Sequence, residues 1–330
     1  MNMKKNMKSV IISCIIIGLS FSRFSQAEKT AGNKIRPDCM PELSESNTKY
    51  AFSNKLVVVL MGDPQLPMTE DSPANVKKAM DDIITLEHDF MAVLGDLIQP
   101  TGSHVNKVTR YNMFRDLVLK PAVKPVFSIS GNADCGMGLQ FYQEYTGLPN
   151  HYTIMRRGIR FIFLGTTELS GHGRHICHVG KEGMDFLEKT LDEDKESTTA
   201  LFHHAPVQNT TYMSGKGARN STREVHKPRD MFLGESDRMH ELFKTHDNIK
   251  LFACGHTHIK YGATDTDDRG LYHEKDGVLH VAVGASANDR GSSVLFIDNK
   301  GIKVRVRSHD KKAWVEKFDK TATFSSSFKK

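Results

Sequence analysis

Apolar residues in this chain gather in short unbroken runs, and several of those runs stop at a glycine followed by an acid, an amide or an imidazole. Residues 56–61, 90–94 and 125–130 are runs of strand length, the pattern of strands covered on both faces. Between the first two, Val76, Ala79, Met80, Ile83, Ile84 and Leu86 recur at roughly helical spacing behind Ser72-Pro73, predicting a helix over 72–88. A second helix is predicted over 110–119, so the first half alternates strand and helix as a layered α/β sheet does. The second half changes rhythm: 151–155 and 159–165 flank Arg156-Arg157-Gly158 as a hairpin, then come a helix at 181–191 and a strand at 199–202. A helix over 236–244 and strands over 250–254, 277–284, 292–298 and 301–307 complete the alternation.

The ends follow other rules. Lys4, Lys5 and Lys8 precede an apolar segment at 10–19, and Ser25-Gln26-Ala27 offers small residues for cleavage, so residues 1–27 read as a secretory signal peptide. An apolar stretch of about ten residues falls short of the roughly 20 that span a bilayer, and no stable membrane anchor is expected after cleavage. The mature chain is therefore expected to be exported, periplasmic or secreted. Removing 1–27 takes away Lys4, Lys5, Lys8 and Arg23 and no acid, so the formal charge falls from +6 to +2 and gives no ground for a nucleic-acid partner. Residues 28–54, polar with Pro37 and Pro41, read as an extended leader. The domain proper spans 55–308, and 309–330 is a tail expected to fray from Asp319. Cys39, Cys135, Cys177 and Cys254 remain after cleavage, enough for two bridges or for none, and the absence of a C-x-x-C pair argues against a zinc knuckle. The stretch 208–235 is a long, polar, basic loop of the kind that tends to carry function, with Lys216, Arg219, Arg223, Lys227 and Arg229 able to meet a phosphate.

Gly62-Asp63, Gly95-Asp96, Gly131-Asn132, His203-His204 and Gly255-His256-Thr257-His258 each close an apolar run. Taken alone, a Gly-Asp pair is a turn and a histidine is a surface or core residue. Taken together they are carboxylate, carboxamide and imidazole groups at several strand ends, where side chains remote in sequence can meet around a hard-to-borderline cation. Two cations roughly 3.5–4 Å apart would clamp a phosphate and generate an attacking hydroxide near neutral pH. No G-x-S-x-G or H-E-x-x-H motif supports an acyl-transfer or peptidase alternative.

In order, Gly62-Asp63-Pro64-Gln65, Gly95-Asp96, Gly131-Asn132-Ala133-Asp134, His203-His204 with Pro206, and Gly255-His256-Thr257-His258 resemble the calcineurin-like metallophosphoesterases, in their purple-acid-phosphatase-like branch. The resemblance implies a four-layer α-β-β-α sandwich of two mixed sheets flanked by helices. It also implies hydrolysis of a phosphomonoester or phosphodiester by a hydroxide bridging two divalent ions (Mn, Fe, Zn or Mg). One ion would be held by Asp63, Gln65, Asp96 and His258, the other by Asp96, Asn132, His256 and one of His203 or His204, with His203 favoured. Asp96 would bridge them, and no tyrosine stands in Gly95-Asp96-Leu97-Ile98-Gln99, where purple iron phosphatases place a charge-transfer ligand. Two positions depart from the family: Gln65 and Ala133 stand where it usually has histidine. The second histidine ordinarily protonates the leaving oxygen, which alanine cannot do. Either another group replaces it, with His151, His172, His175, His178 and His226 within predicted hairpin or loop segments, or good leaving groups are favoured. A second reading keeps the fold and gives up turnover: a secreted metal- or phosphate-binding protein.

Overall fold

A computed structural model describes residues 55–171, 175–211, 231–261, 270–288 and 291–324. The segments expected to be a signal peptide and a leader, with Cys39, and the basic residues of 212–230, His172 and His226 lie outside the described residues. In chain order the elements are β1 (Leu56–Met61), α1 (Ser72–Ile83), β2 (Phe90–Val93), α2 (His104–Phe114) with a π-helical turn (Arg115–Leu119), β3 (Val126–Ser128), α3 (Asn132–Met137) and α4 (Leu139–Thr146). Then come β4 (His151–Arg156), β5 (Ile159–Leu164), β6 (Glu168–Ser170), β7 (Ile176–His178), α5 (Gly180–Glu193), β8 (Thr199–His203), α6 (Ser236–Thr245) and β9 (Ile249–Cys254). The chain closes with β10 (Tyr272–Lys275), β11 (Val278–Ala282), β12 (Gly291–Asp298), β13 (Gly301–Ser308), β14 (Ala313–Trp314) and β15 (Lys320–Thr323).

Two mixed sheets form the centre. One runs β14-β13-β12-β1-β2-β3 with β15 also on β13; the other runs β10-β11-β9-β8-β5-β4. In the first, β1, β2 and β3 are parallel neighbours, and in the second β5, β8, β9 and β11 are. Parallel strands at the centre of each sheet send their carboxyl ends to one edge, which is where ligands bind in such architectures. The faces meet on aromatic rings: Phe90 of β2 stands edge-on to Phe161 of β5 at 5.0 Å, and Phe127 of β3 lies 5.6 Å from Phe163 of β5. Both phenylalanine pairs are fully buried, and their ring area excludes water from the inter-sheet seam. At the carboxyl edge the sheets are joined by main chain, since Gly62 bridges Ala285 and the Ser286 N–H donates to Gly62 O at 2.8 Å. The architecture is the layered two-sheet sandwich expected from the sequence.

Differences from the sequence reading have local causes. The first helix ends at Ile83 rather than 88, where the Thr85 hydroxyl donates to Asp82 O and turns the chain out. The helix expected over 110–119 starts earlier, at His104, and widens into the π turn from Arg115. The tail does not fray at Asp319. Phe318 is 1% exposed, the Arg305 Nε donates to Asp319 at 3.0 Å, and β15 pairs with β13 from Val304 to Gly301. Among the described residues Cys177 and Cys254 are free thiols, and no helix is long and apolar enough to cross a membrane.

His280 of β11 sits between the rings of Phe243 and Phe252, 5.4 and 5.7 Å away, and burial pushes its pKa down to about 3. It is neutral in the folded protein at pH 5, while in the unfolded chain it titrates near 6.5. A depressed histidine favours folding above its unfolded pKa and loses that contribution as pH falls below it, at about 1.4 kcal/mol per pH unit. Unfolding free energies measured in urea should therefore fall by about 2 kcal/mol more between pH 6.5 and 5 in wild type than in His280→Leu. Equal falls in the two proteins would refute the buried neutral state.

Candidate metal centre

The polar residues that end the apolar runs stand just beyond the strand ends. Asp63 and Gln65 follow β1, Asp96 follows β2, Asn132 begins α3 after β3, His204 follows β8, and His256 and His258 follow β9. The turn out of each strand is sharp. Asp63 (φ 42°), Gln65 (φ 35°), Asp96 (φ 49°), His256 (φ 67°) and His258 (φ 47°) all adopt left-handed backbone, a conformation that costs of order 1–3 kcal/mol for a residue with a side chain. Such strain persists only where the surroundings hold it. Here the His256 N–H donates to Asp63 Oδ2 at 3.0 Å, the Ala133 N–H donates to Asp96 Oδ1 at 2.8 Å, and the Gln65 N–H donates to Asp96 O at 2.8 Å.

The glycines in these motifs make room for the neighbouring motif. A Cβ on Gly255 would stand 2.5 Å from Asp63 Oδ2, and one on Gly131 would overlap the Asp96 carboxylate itself. The strand ends thus interlock, each carboxylate occupying space left by a missing side chain on the next loop.

Hydrogen bonding fixes the state of two imidazoles. His204 Nδ1 lies 2.7 Å from Leu94 O and His256 Nε2 lies 2.9 Å from His175 O; a carbonyl only accepts, so these nitrogens carry the protons. In the neutral tautomers the other nitrogens, His204 Nε2 and His256 Nδ1, present lone pairs, and they lie 3.1 Å apart. His204 Nε2 is also 3.0 Å from Asn132 Oδ1 and 3.3 Å from Asp96 Oδ1. Turning the Asn132 amide would relieve one of these contacts but not the pair of ring nitrogens. Burial, reinforced by His204, holds the His256 pKa well below its ordinary value, which favours the neutral ring.

A second group of acceptors adjoins the first. Gln65 donates through Nε2 to Asp96 Oδ2 at 2.7 Å, which leaves its buried Oε1 without a partner. His258 Nε2 is 3.4 Å from Asp63 Oδ1; burial works against its protonation, and the hydrogen bond and charge of Asp63 outweigh it, so its pKa is raised. Burial raises the Asp96 carboxyl, with His204 opposing and Asp63 adding to the rise. Asp63, Asp96 and His204 offer atoms close enough together to hold one metal ion, and all three are buried. A nearly dry cluster of lone pairs, with an orphaned amide oxygen beside it, is a donor set that a divalent cation fits.

The structure brings together Asp63, Gln65, Asp96, Asn132, His204, His256 and His258, and it leaves His203 out. The preference for His203 over His204 is corrected here. β8 runs through His203, which pairs with Leu164, and its ring is fully buried. There its Nδ1 accepts from the Ala205 N–H at 3.0 Å, and burial pushes its pKa down to about 3. His204 is the first residue beyond the strand and turns to the edge. Ala133 is buried, with a methyl where the family usually has an imidazole. Asp134 accepts from Gly131 N (2.9 Å), Leu97 N (3.1 Å) and the Tyr111 hydroxyl (3.2 Å), so it ties loops together; burial, with the Asp96 charge adding, pushes its pKa up to about 7. His151 stacks on Phe186, and His178 lies between Ser170 and Glu235. Of two further participants the Leu94 carbonyl had no signal in the sequence, and His175, which enters beside the β6–β7 pair, stood there as one of several loop histidines.

Comparison with known proteins gives the same architecture. Residues 56–260 match the calcineurin-like phosphoesterase family. No curated protein sequence gives a match. A dimetal phosphatase from Danio rerio is 13% identical, with 82% of this chain and 99% of that one covered at a TM-score of 0.58. The GAP50 anchor of the inner membrane complex of Plasmodium is 12% identical, covering 82% and 90% at 0.56. The purple acid phosphatase PPD1 from yellow lupin (Lupinus luteus) seeds is 17% identical, covering 79% of this chain and 53% of that one at 0.52. At these identities the solved structures speak for the fold alone, whereas the match over 56–260 takes in every residue of the acceptor cluster: the chain belongs to the calcineurin-like phosphoesterase family.

Proposed function

We propose that this protein is an exported metal-dependent phosphoesterase that hydrolyses a phosphomonoester or phosphodiester. The observation that carries the reading is the meeting of His204 Nε2 and His256 Nδ1 at 3.1 Å beside Asn132 and Asp96, with Asp63, Asp96 and His204 close enough together to hold one ion. Asp63, the Gln65 amide oxygen, Asp96 and His258 would hold one divalent ion; Asp96, Asn132, His204 and His256 would hold the other. The two oxygens of Asp96 face different groups, Oδ2 toward Gln65 and Oδ1 toward His204, which suits a carboxylate shared between the two sets. When bound, such ions supply Lewis acidity toward a phosphoryl oxygen and lower the pKa of water. The oxygen-rich first set favours a hard ion such as Mn²⁺ or Mg²⁺; the second, with two imidazoles, also accepts Zn²⁺ or Fe²⁺.

The chain's own groups prepare this chemistry. The Leu94 and His175 carbonyls fix the imidazole tautomers, so each histidine offers a lone pair without rearrangement. The Ala133 N–H holds Asp96 in orientation. Burial of Asp63, Asp96 and His204 keeps bulk water from screening the cluster. The methyl of Ala133 favours a competing reading, a binding protein that holds metal or phosphate without turnover, and the two separate in the test below.

Titrating purified protein with Mn²⁺ should raise its Tm, by an amount that corresponds to about 2.7 kcal/mol at a hundredfold excess over Kd. Asp96→Asn, which keeps shape but loses charge, should lose most of the shift, while His203→Gln should keep it. An unshifted wild-type Tm, with no metal found by elemental analysis, would reject the centre. In a separate assay the Mn²⁺-loaded protein should cleave an activated aryl phosphate or its bis-ester, with Asp96→Asn slower by about 10³-fold, the factor that several kcal/mol of lost charge stabilisation gives. Two bound ions without turnover on either ester would favour the binding-protein reading.

A further inference from the structure

The cluster at the strand ends is made of acceptors, and a phosphate ester brought to it is another. As the ester bond breaks, negative charge grows on the leaving oxygen, which calls for a positioned N–H or O–H. Ala133 supplies none, because its side chain is a methyl and its N–H is spent on Asp96 Oδ1 at 2.8 Å. His175 stands beside the cluster, against His256. Its carbonyl accepts from His256 Nε2 at 2.9 Å, which fixes its backbone against the cluster, and its ring centre is 6.0 Å from that of His256 at an interplanar angle of 49°. The residue is half-buried, part of its surface reaching solvent at the cluster's edge. The segment that bears it is pinned: Cys177 N donates to Phe232 O at 3.1 Å, Gly234 N donates to Cys177 O at 2.7 Å, and the Glu235 carboxylate accepts from Gly180 N at 3.1 Å.

We propose that the His175 imidazole is the hydrogen-bond donor to the leaving oxygen of the bound ester, an inference that rests on the phosphoesterase reading. In the hydrolysis a water oxygen forms a new P–O bond and the P–O bond to the leaving group breaks, its electron pair going to the leaving oxygen. That oxygen, bonded to the His175 N–H as charge develops, ends protonated as an alcohol or phenol. The protons balance, since water supplies one to phosphate and one, by way of His175 and solvent, to the leaving group. The role sets a substrate preference: with His175 in place the enzyme accepts poorly activated esters as well as activated ones.

The test uses the full metal-loaded protein and its His175→Ala variant on phenyl phosphate and p-nitrophenyl phosphate. The variant keeps the carbonyl that holds His256. Phenyl phosphate turnover should fall by on the order of 10²-fold or more, the usual worth of a positioned proton donor, and p-nitrophenyl phosphate turnover by less than about tenfold. Metal content should stay the same. Equal losses on the two esters, no loss on either, or loss of metal from the variant would overturn the proposal. A binding measurement stands apart from turnover. Inorganic phosphate, which places an oxygen in the leaving position, should bind the variant about fivefold to tenfold more weakly by calorimetry, the worth of one hydrogen bond. Should wild type cleave neither ester, the phosphoesterase reading fails, and unchanged phosphate affinity in His175→Ala would then dispose of the His175 contact as well.

Discussion

The site at the edge of this molecule is organised by two buried ring nitrogens that face one another among other acceptors. The Leu94 and His175 carbonyls spend the N–H of His204 and of His256, and the two remaining nitrogens are pressed to 3.1 Å within reach of Asp96 and Asn132. Left to itself such a point is repulsive, and in a buried setting the repulsion is poorly screened. A divalent cation would relieve it, and the left-handed backbone at Asp63, Gln65, Asp96, His256 and His258 gathers the groups that would hold one.

The two sheets explain how residues almost two hundred positions apart come to meet. Parallel strands at the centre of both sheets deliver their ends to one edge, and the Phe90–Phe161 and Phe127–Phe163 contacts lock the sheets face to face, so the edges cannot slide apart. Main-chain bonds then cross between sheets at the site itself, from Ser286 to Gly62, while the Asp63 carboxylate reaches the His256 N–H. Stability and site geometry are therefore carried by the same contacts. Movement of β9 against β1 would disturb the cluster before it disturbed the core.

Much of this was legible in the sequence because strand ends announce themselves. Apolar runs stopping at Gly62-Asp63, Gly95-Asp96, Gly131-Asn132 and Gly255-His256 located both the strands and the side chains past them, and the structure adds why two of the glycines are there: Gly131 and Gly255 yield their space to Asp96 and Asp63. The choice between His203 and His204 turned on where β8 stops, and strand boundaries are the least readable feature of a sequence. Helix α3 was missed because six residues of polar and small character carry no period. β15 was missed because its pairing with β13 comes from non-local contacts of Phe318 and Asp319, which no local pattern encodes. His175 could not be singled out among the loop histidines, since what marks it is the position of its carbonyl over His256.

The central claim is that two neighbouring donor sets each take a divalent ion and share Asp96. Anomalous diffraction from crystals of the Mn²⁺-loaded protein tests it most directly. Two peaks are predicted, one among Asp63, Gln65, Asp96 and His258 and one among Asp96, Asn132, His204 and His256. A map with no peak between His204 and His256, or with an ion on His203 instead, would contradict the account.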